Sequence, residues 1–162
     1  MKKKKKESGF TLIELLIVIA IIGILAAIAI PNLLNAVQRG KQKRTMSDMR
    51  TMATAIEAYA VDNNLYPQGL CNSASYTTTD TLFDNSSLSI LSPTYIANPV
   101  RKDGWDQFFE YGAPTDGQQY MLQSTGRDKI HADATCVTTT NFNSDIVYSN
   151  GGFIQFPEGA QN

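Results

Sequence analysis

The sequence is poor in the residues that most enzyme and metal sites need. It has one histidine, His131, two cysteines, Cys71 and Cys136, and one tryptophan, Trp105. No CxxC, HExxH, GxGxxG or P-loop pattern occurs, which removes the motif-level case for zinc, redox, dinucleotide or nucleotide chemistry. His131 has Ser124, Asp128 and Asp133 nearby in sequence, but no GxSxG elbow frames Ser124, so a surface-loop histidine is the expectation and not a hydrolase triad. No enzyme activity is expected. Internal repeats are also absent. So is a basic head, because residues 65–162 carry four basic against ten acidic side chains, a poor match to the clustered Lys and Arg that phosphate contacts require. No nucleic-acid partner is expected.

What the chain does have is at its start. Lys2–Lys6 precede a run of 21 residues, Phe10–Ile30, apolar except for Thr11 and Glu14. As a helix it is about 31 Å long, enough to cross the hydrocarbon of a bilayer. The lysines place the N-terminus on the cytoplasmic side. A carboxylate in such a run costs several kcal/mol unless something offsets it. Two leader readings compete. An ordinary signal peptide, cut at the small-residue site Ala27-Ile28-Ala29, releases a soluble binding domain, and there Glu14 serves nothing. A cut between Gly9 and Phe10 keeps the apolar run as an anchor.

Beyond Ile30, Met46, Met49, Met52, Ala53, Ile56, Tyr59 and Ala60 recur at helical spacing, which predicts an amphipathic helix ending near Asn64, before Tyr66 and Pro67. Pro31 removes one backbone hydrogen bond and is expected to kink or loosen the helix. A short helix is expected near Ser86–Leu91. The segments FFEYG, QYMLQS, DIVYS and GFIQF, separated by turn signals, predict a small antiparallel sheet. The expected fold class is α+β, a long N-terminal helix packed on that sheet. Phe108, Phe109, Tyr111, Tyr120, Tyr148, Phe153 and Phe156 are expected in the core, with Trp105 capping it. Residues 31–64 carry five basic and three acidic side chains, so a basic stem is joined to an acidic head. The two can attract each other between copies, or be an ordinary solvated surface. Cys71 and Cys136 lie in the part expected outside the cytoplasm and are expected to pair. Closing that loop stabilises the fold by roughly 4 kcal/mol. The alternative is two buried thiols.

KKKKKESG followed by FTLIELLIVIAIIGILAAIAIP closely resembles the class III leader and N-terminal helix of type IV pilins and type II secretion pseudopilins. Weaker similarity continues at Tyr66–Pro67, at the Asp103–Trp105 stretch DGW, and in SDIVYSNGGFIQFPEG. The resemblance implies a pilin-like fold in four parts: a leader at 1–9, a membrane and filament-core helix at 10–30, an amphipathic helix at 31–64 and a head at 65–162. It implies that a prepilin peptidase cleaves after Gly9 and methylates Phe10, that Glu14 pairs with the terminal amine of a neighbouring subunit, and that Pro31 marks the helix interruption. It also implies a homo-oligomeric helical filament, either pilus or secretion pseudopilus. Such a filament grows from the bacterial inner membrane with an assembly platform and ATPases as partners and ends in the periplasm or outside the cell. Major pseudopilins hold calcium in a C-terminal loop. By that resemblance Asp128, Asp145 and Ser124 are the candidate ligands, with Ser144 standing where a paired acid is usual.

Overall fold

The computed structural model describes residues 9–67, 90–113, 117–131 and 141–158. The chain divides into two compact units, Met1–Val37 and Gln38–Asn162. One helix, α1 (Leu12–Asn63), runs through both. The helical pattern continues through Pro31, so the loss of one backbone hydrogen bond there does not end the helix. Nearby, the Asn32 side chain donates to the carbonyl of Ile28 at 3.2 Å. At the other end Asn64 takes a left-handed φ of 58°, the C-cap conformation that asparagine tolerates, and the chain turns away.

In the second unit the helix contributes one face. Met49, Met52, Ala53 and Ile56 are fully buried, while Arg50, Thr51 and Thr54 face water. The four anticipated strands form in order as an antiparallel meander: β1 (Glu110–Gly112), β2 (Met121–Ser124), β3 (Ile146–Ser149) and β4 (Gly152–Gln155). Register sets Tyr111 beside Leu122, Leu122 beside Tyr148, and Tyr148 beside Phe153. Asn150 and Gly151 join β3 to β4 with φ of 45° and 90°, both left-handed, as a type I′ hairpin turn requires. That turn twists the strands in their own sense, so the NGG signal has a mechanical cause.

The core unites the helix face with Leu91, Trp105, Phe109, Tyr111, Tyr120, Leu122, Ile146 and Tyr148. Phe153 and Phe156 pack on it half-buried. Phe108 does not join it. It is 39% exposed, and the Lys102 ammonium lies 5.1 Å from its ring centroid. The reason is strand parity: Phe109 and Tyr111 alternate inward, which turns Phe108 outward. Ile90 and Leu91 are helical; the rest of the short helix expected at Ser86–Leu91 lies outside the described residues. Cys71 and Cys136 lie outside the described residues, so their pairing does too.

Candidate assembly site

The first unit offers its own side chains almost nothing to pack against. Phe10 is 83% and Leu12 90% exposed, and the large apolar residues remain exposed as far as Val37. The most apolar stretch of α1 has a mean hydropathy of 3.0 with none of it buried. A contiguous apolar surface of this extent marks a membrane or protein contact, because water alone does not tolerate it.

The start of α1 gives Glu14 a second task. Thr11 precedes the first helical residue, and its backbone N and Oγ1 donate to Glu14 Oε2 at 2.8 and 2.7 Å, while the Glu14 N donates back to Thr11 Oγ1 at 3.2 Å. This reciprocal pair is a capping box, which satisfies helix-end donors that have no partner within the helix. The T-x-x-E spacing carries this signal in the sequence, beside the cost of a carboxylate in an apolar run and the pairing with a neighbouring amine that the resemblance implies. Gly9 and Phe10 stand just before the cap. A Cβ added at Gly9 would meet nothing within 4 Å, so a need for glycine there comes from outside this chain.

In the second unit the DGW element is the joint between loop and helix. Asp103 is buried, and its Oδ1 accepts from the backbone N of Trp105 at 2.8 Å and of Gln107 at 2.9 Å. Its Oδ2 accepts from Ser124 Oγ at 2.6 Å. This pinned turn presses Gly104 onto α1. Its N donates to Thr45 Oγ1 at 2.8 Å, and a Cβ there would come within 2.5 Å of the Lys41 carbonyl oxygen. Trp105 Nε1 reaches Gln38 Oε1 at 2.7 Å. Farther along the helix, Tyr120 OH donates to Glu57 Oε1 at 2.6 Å, and burial, reinforced by that carboxylate, pushes the phenol well above its ordinary range.

The residues expected to hold calcium are engaged separately. Ser124 is committed to Asp103. Asp145 is buried, with Oδ2 accepting from Gln123 Nε2 at 2.5 Å and its carbonyl accepting from Gln155 Nε2 at 3.2 Å. Asp128 is exposed, and its Oδ1 caps the turn through Ile130 N at 3.1 Å. Gly126 holds a φ of +67° where a Cβ would lie 2.9 Å from the Ser144 carbonyl, so this loop is sterically tight. Among the described residues no three His, Cys, Asp or Glu side chains group to hold a metal. As placed, the three donors alone do not form a cage; residues 132–140 lie outside the described residues. His131, expected as a bystander, sits with Nδ1 3.0 Å from Glu110 Oε2 and 3.2 Å from Gln123 Nε2, away from the committed Ser124 hydroxyl.

An exposed apolar N-terminal helix, long and apolar enough to cross a membrane, continuing into a helix packed on a four-stranded antiparallel sheet is a pilin-like α+β arrangement. Residues 4–30 match the prokaryotic N-terminal methylation motif, and residues 32–146 match type II secretion system protein G. The chain belongs to the type II secretion system protein G family. It is 32% identical over 136 residues to the type II secretion system core protein G of Vibrio cholerae serotype O1, covering 79% of this chain and 86% of that protein. To the core protein G of Escherichia coli K12 it is 30% identical over 135 residues, 79% of this chain and 87% of that protein. A type IV major fimbrial protein of Dichelobacter nodosus is 56% identical over 59 residues, 36% of this chain and 38% of that protein. No solved structure matches significantly.

Proposed function

We propose that the chain is the repeating subunit of a secretion pseudopilus, drawn from the bacterial inner membrane into a homo-oligomeric helical filament. The observation that carries this reading is the exposed apolar surface of α1 from Phe10 to Val37. Such a surface is stable in lipid, and stable again when neighbouring copies replace the lipid. Likeness to core protein G runs over most of the chain, whereas likeness to the fimbrial protein covers 59 residues. That difference favours the secretion filament over the pilus, and the methylation motif over residues 4–30 favours either over a domain released after Ala29. The family consists of structural subunits, in keeping with a chain that works mechanically.

The finer parts of the reading follow the leader. A prepilin peptidase cuts after Gly9 and methylates Phe10; the N-terminus begins in the cytoplasm; a platform and ATPases supply the work of extraction. In the mature chain, the Phe10 amine is largely protonated near neutral pH. Glu14 can then exchange its Thr11 contacts for an amine on the neighbouring subunit, where low dielectric strengthens the attraction. Pro31 leaves one carbonyl without its helical donor, a soft point for repacking in the filament. A Cys71–Cys136 disulfide braces the head, as the oxidising compartment supports; non-reducing peptide mapping that finds both thiols free removes it. Calcium at Asp128, Asp145 and Ser124 rests on the resemblance and on the preference of calcium for oxygen donors, and the present commitments of Ser124 and Asp145 weigh against it.

The test of the filament reading is Glu14→Ala in cells where this chain is the sole subunit. Cleavage should proceed and the head should melt as in the wild type, while filament recovery falls by about tenfold or more. Wild-type filament yield from Glu14→Ala would remove the assembly role of this carboxylate.

A further inference from the structure

Two patches of the second unit, at different heights on α1, complement each other and not themselves. The first is a shallow groove of about 240 Å³ whose walls include Arg39, Lys43, Met46, Phe156 and Pro157, with Glu158 at its rim. Gln42 forms its floor, donating to the Pro157 carbonyl and so fixing the last described residues against the helix. Arg39 and Lys43 are exposed and make no ion pair among the described residues, whereas neighbouring Arg44 is occupied by Asp48 at 3.5 Å. The groove is thus cationic with an apolar lining of Met46 and Phe156.

The second patch is the C-terminal end of α1. Val61 is 79% and Leu65 41% exposed, an apolar knob at the edge of a depression that they line with Ala60, Asn64 and Tyr66. Between them Asp62 is exposed, its Oδ2 accepting from Tyr95 OH at 3.0 Å and holding the phenol above its usual range after burial has raised it. No basic side chain occupies this last turn, so the partial negative charge of the helix end adds to that of Asp62.

A step of 19 residues carries Gln42 to Val61 and Lys43 to Asp62. That step is about 28 Å along the helix and about 100° around it beyond five full turns. The two patches therefore lie on different faces. A contact between unlike patches on different faces is heterologous, the type that propagates into an open helical assembly and does not close into a symmetric dimer.

We propose that the Val61–Asp62–Leu65 knob of one copy seats in the Arg39–Lys43–Met46–Phe156 groove of a second copy, displaced by about 28 Å along the helix direction. This rests on the filament reading and adds to it a specific contact between heads. The apolar knob supplies burial, and the Asp62–Lys43 and Asp62–Arg39 attractions set register and orientation, which is where charge at an interface acts most. Because both charges are near solvent, the contact weakens as ionic strength rises.

The test uses wild-type filaments sheared from cells, treated with a zero-length carbodiimide and mapped by mass spectrometry. Such a reagent joins a carboxylate directly to an amine, and Lys43 and Asp62 of one chain lie too far apart along the helix to be joined. A Lys43–Asp62 isopeptide is the expected product and must come from two copies. Asp62→Lys should reduce filament recovery by roughly tenfold, and adding Lys43→Asp to it should restore much of the loss. Intact filaments in which both residues are recovered unlinked, or in which Asp62→Lys assembles at the wild-type level, overturn the contact and leave the filament reading standing. Failure of the wild-type chain to form any filament overturns the filament reading, and the contact with it.

Discussion

Residues 9–37 and residues 38–158 solve the same problem in opposite ways. The second unit hides Met49, Met52, Ile56, Phe109, Tyr111, Tyr120 and Ile146 from water with its own sheet and loops. The first leaves Leu12, Ile13, Leu16, Ile24 and Ile28 more than half exposed, with the Thr11–Glu14 cap at its start. One unit is satisfied within a single chain; the other is finished only by lipid or by other copies. A defect in the buried core of the second unit is therefore expected to show as lost stability and a defect in the first as lost assembly, with the proposed Lys43–Asp62 contact the one surface of the second unit whose loss should show in assembly.

The sharpest way to break that division is Gly104→Val. The added side chain has to displace the Lys41 backbone, so the head should lose about 3 kcal/mol or more and its melting temperature should fall by about 10 °C, while cleavage of the leader is unchanged. An unaltered melting temperature in the detergent-solubilised chain contradicts the close approach of loop and helix. Glu14→Ala is its mirror image, with assembly lost and melting kept.

A smaller effect is expected from pH. Tyr120 has its folded-state pKa raised by burial and by Glu57. Its contribution to stability is fully present below the unfolded tyrosine value of about 10 and declines as pH rises above it, because only the unfolded chain then releases the proton. The slope from this residue is about 1.4 kcal/mol per pH unit. Denaturant titrations at pH 8 and pH 11 should show the loss, and Tyr120→Phe should flatten it. An equally steep decline in Tyr120→Phe would assign the pH effect to other groups, with Tyr148, also raised by burial, the first to examine.

The smallest shift is the one that bound calcium would give. With a dissociation constant of about 0.1 to 1 mM, as extracellular modules show, 1 mM calcium would add on the order of 1 kcal/mol and raise the melting temperature by a few degrees. Identical melting in calcium, magnesium and chelator, for the wild type and Asp145→Ala alike, ends the metal reading.

Much of this was legible in the residues because the signals were local. Alternation between turn signals located all four strands, and Asn150–Gly151 announced its hairpin. The three- and four-residue spacing of Met49, Met52 and Ile56 found the buried helix face. The DGW joint was not legible as a joint. Its logic is a close approach between Gly104 and the backbone of Lys41, residues far apart in sequence, and no local pattern reports that distance. The same holds for Ser124 and Asp145, which read as loop oxygens open to a metal until the fold turned them toward Asp103 and Gln123. Glu14 was legible twice over, as a costly charge and as the last residue of a T-x-x-E cap, and the first signal obscured the second.

In the proposed filament the apolar half of α1 stays on the chain because it is the surface on which copies assemble. Intact-mass and N-terminal peptide measurement of the protein taken from its native envelope addresses that claim most directly. The account predicts a mature chain beginning at Phe10, with one methyl group on its amine and the whole of α1 retained. A chain beginning at Ile30 would contradict it, because the surface that defines the assembly would have been discarded with the leader.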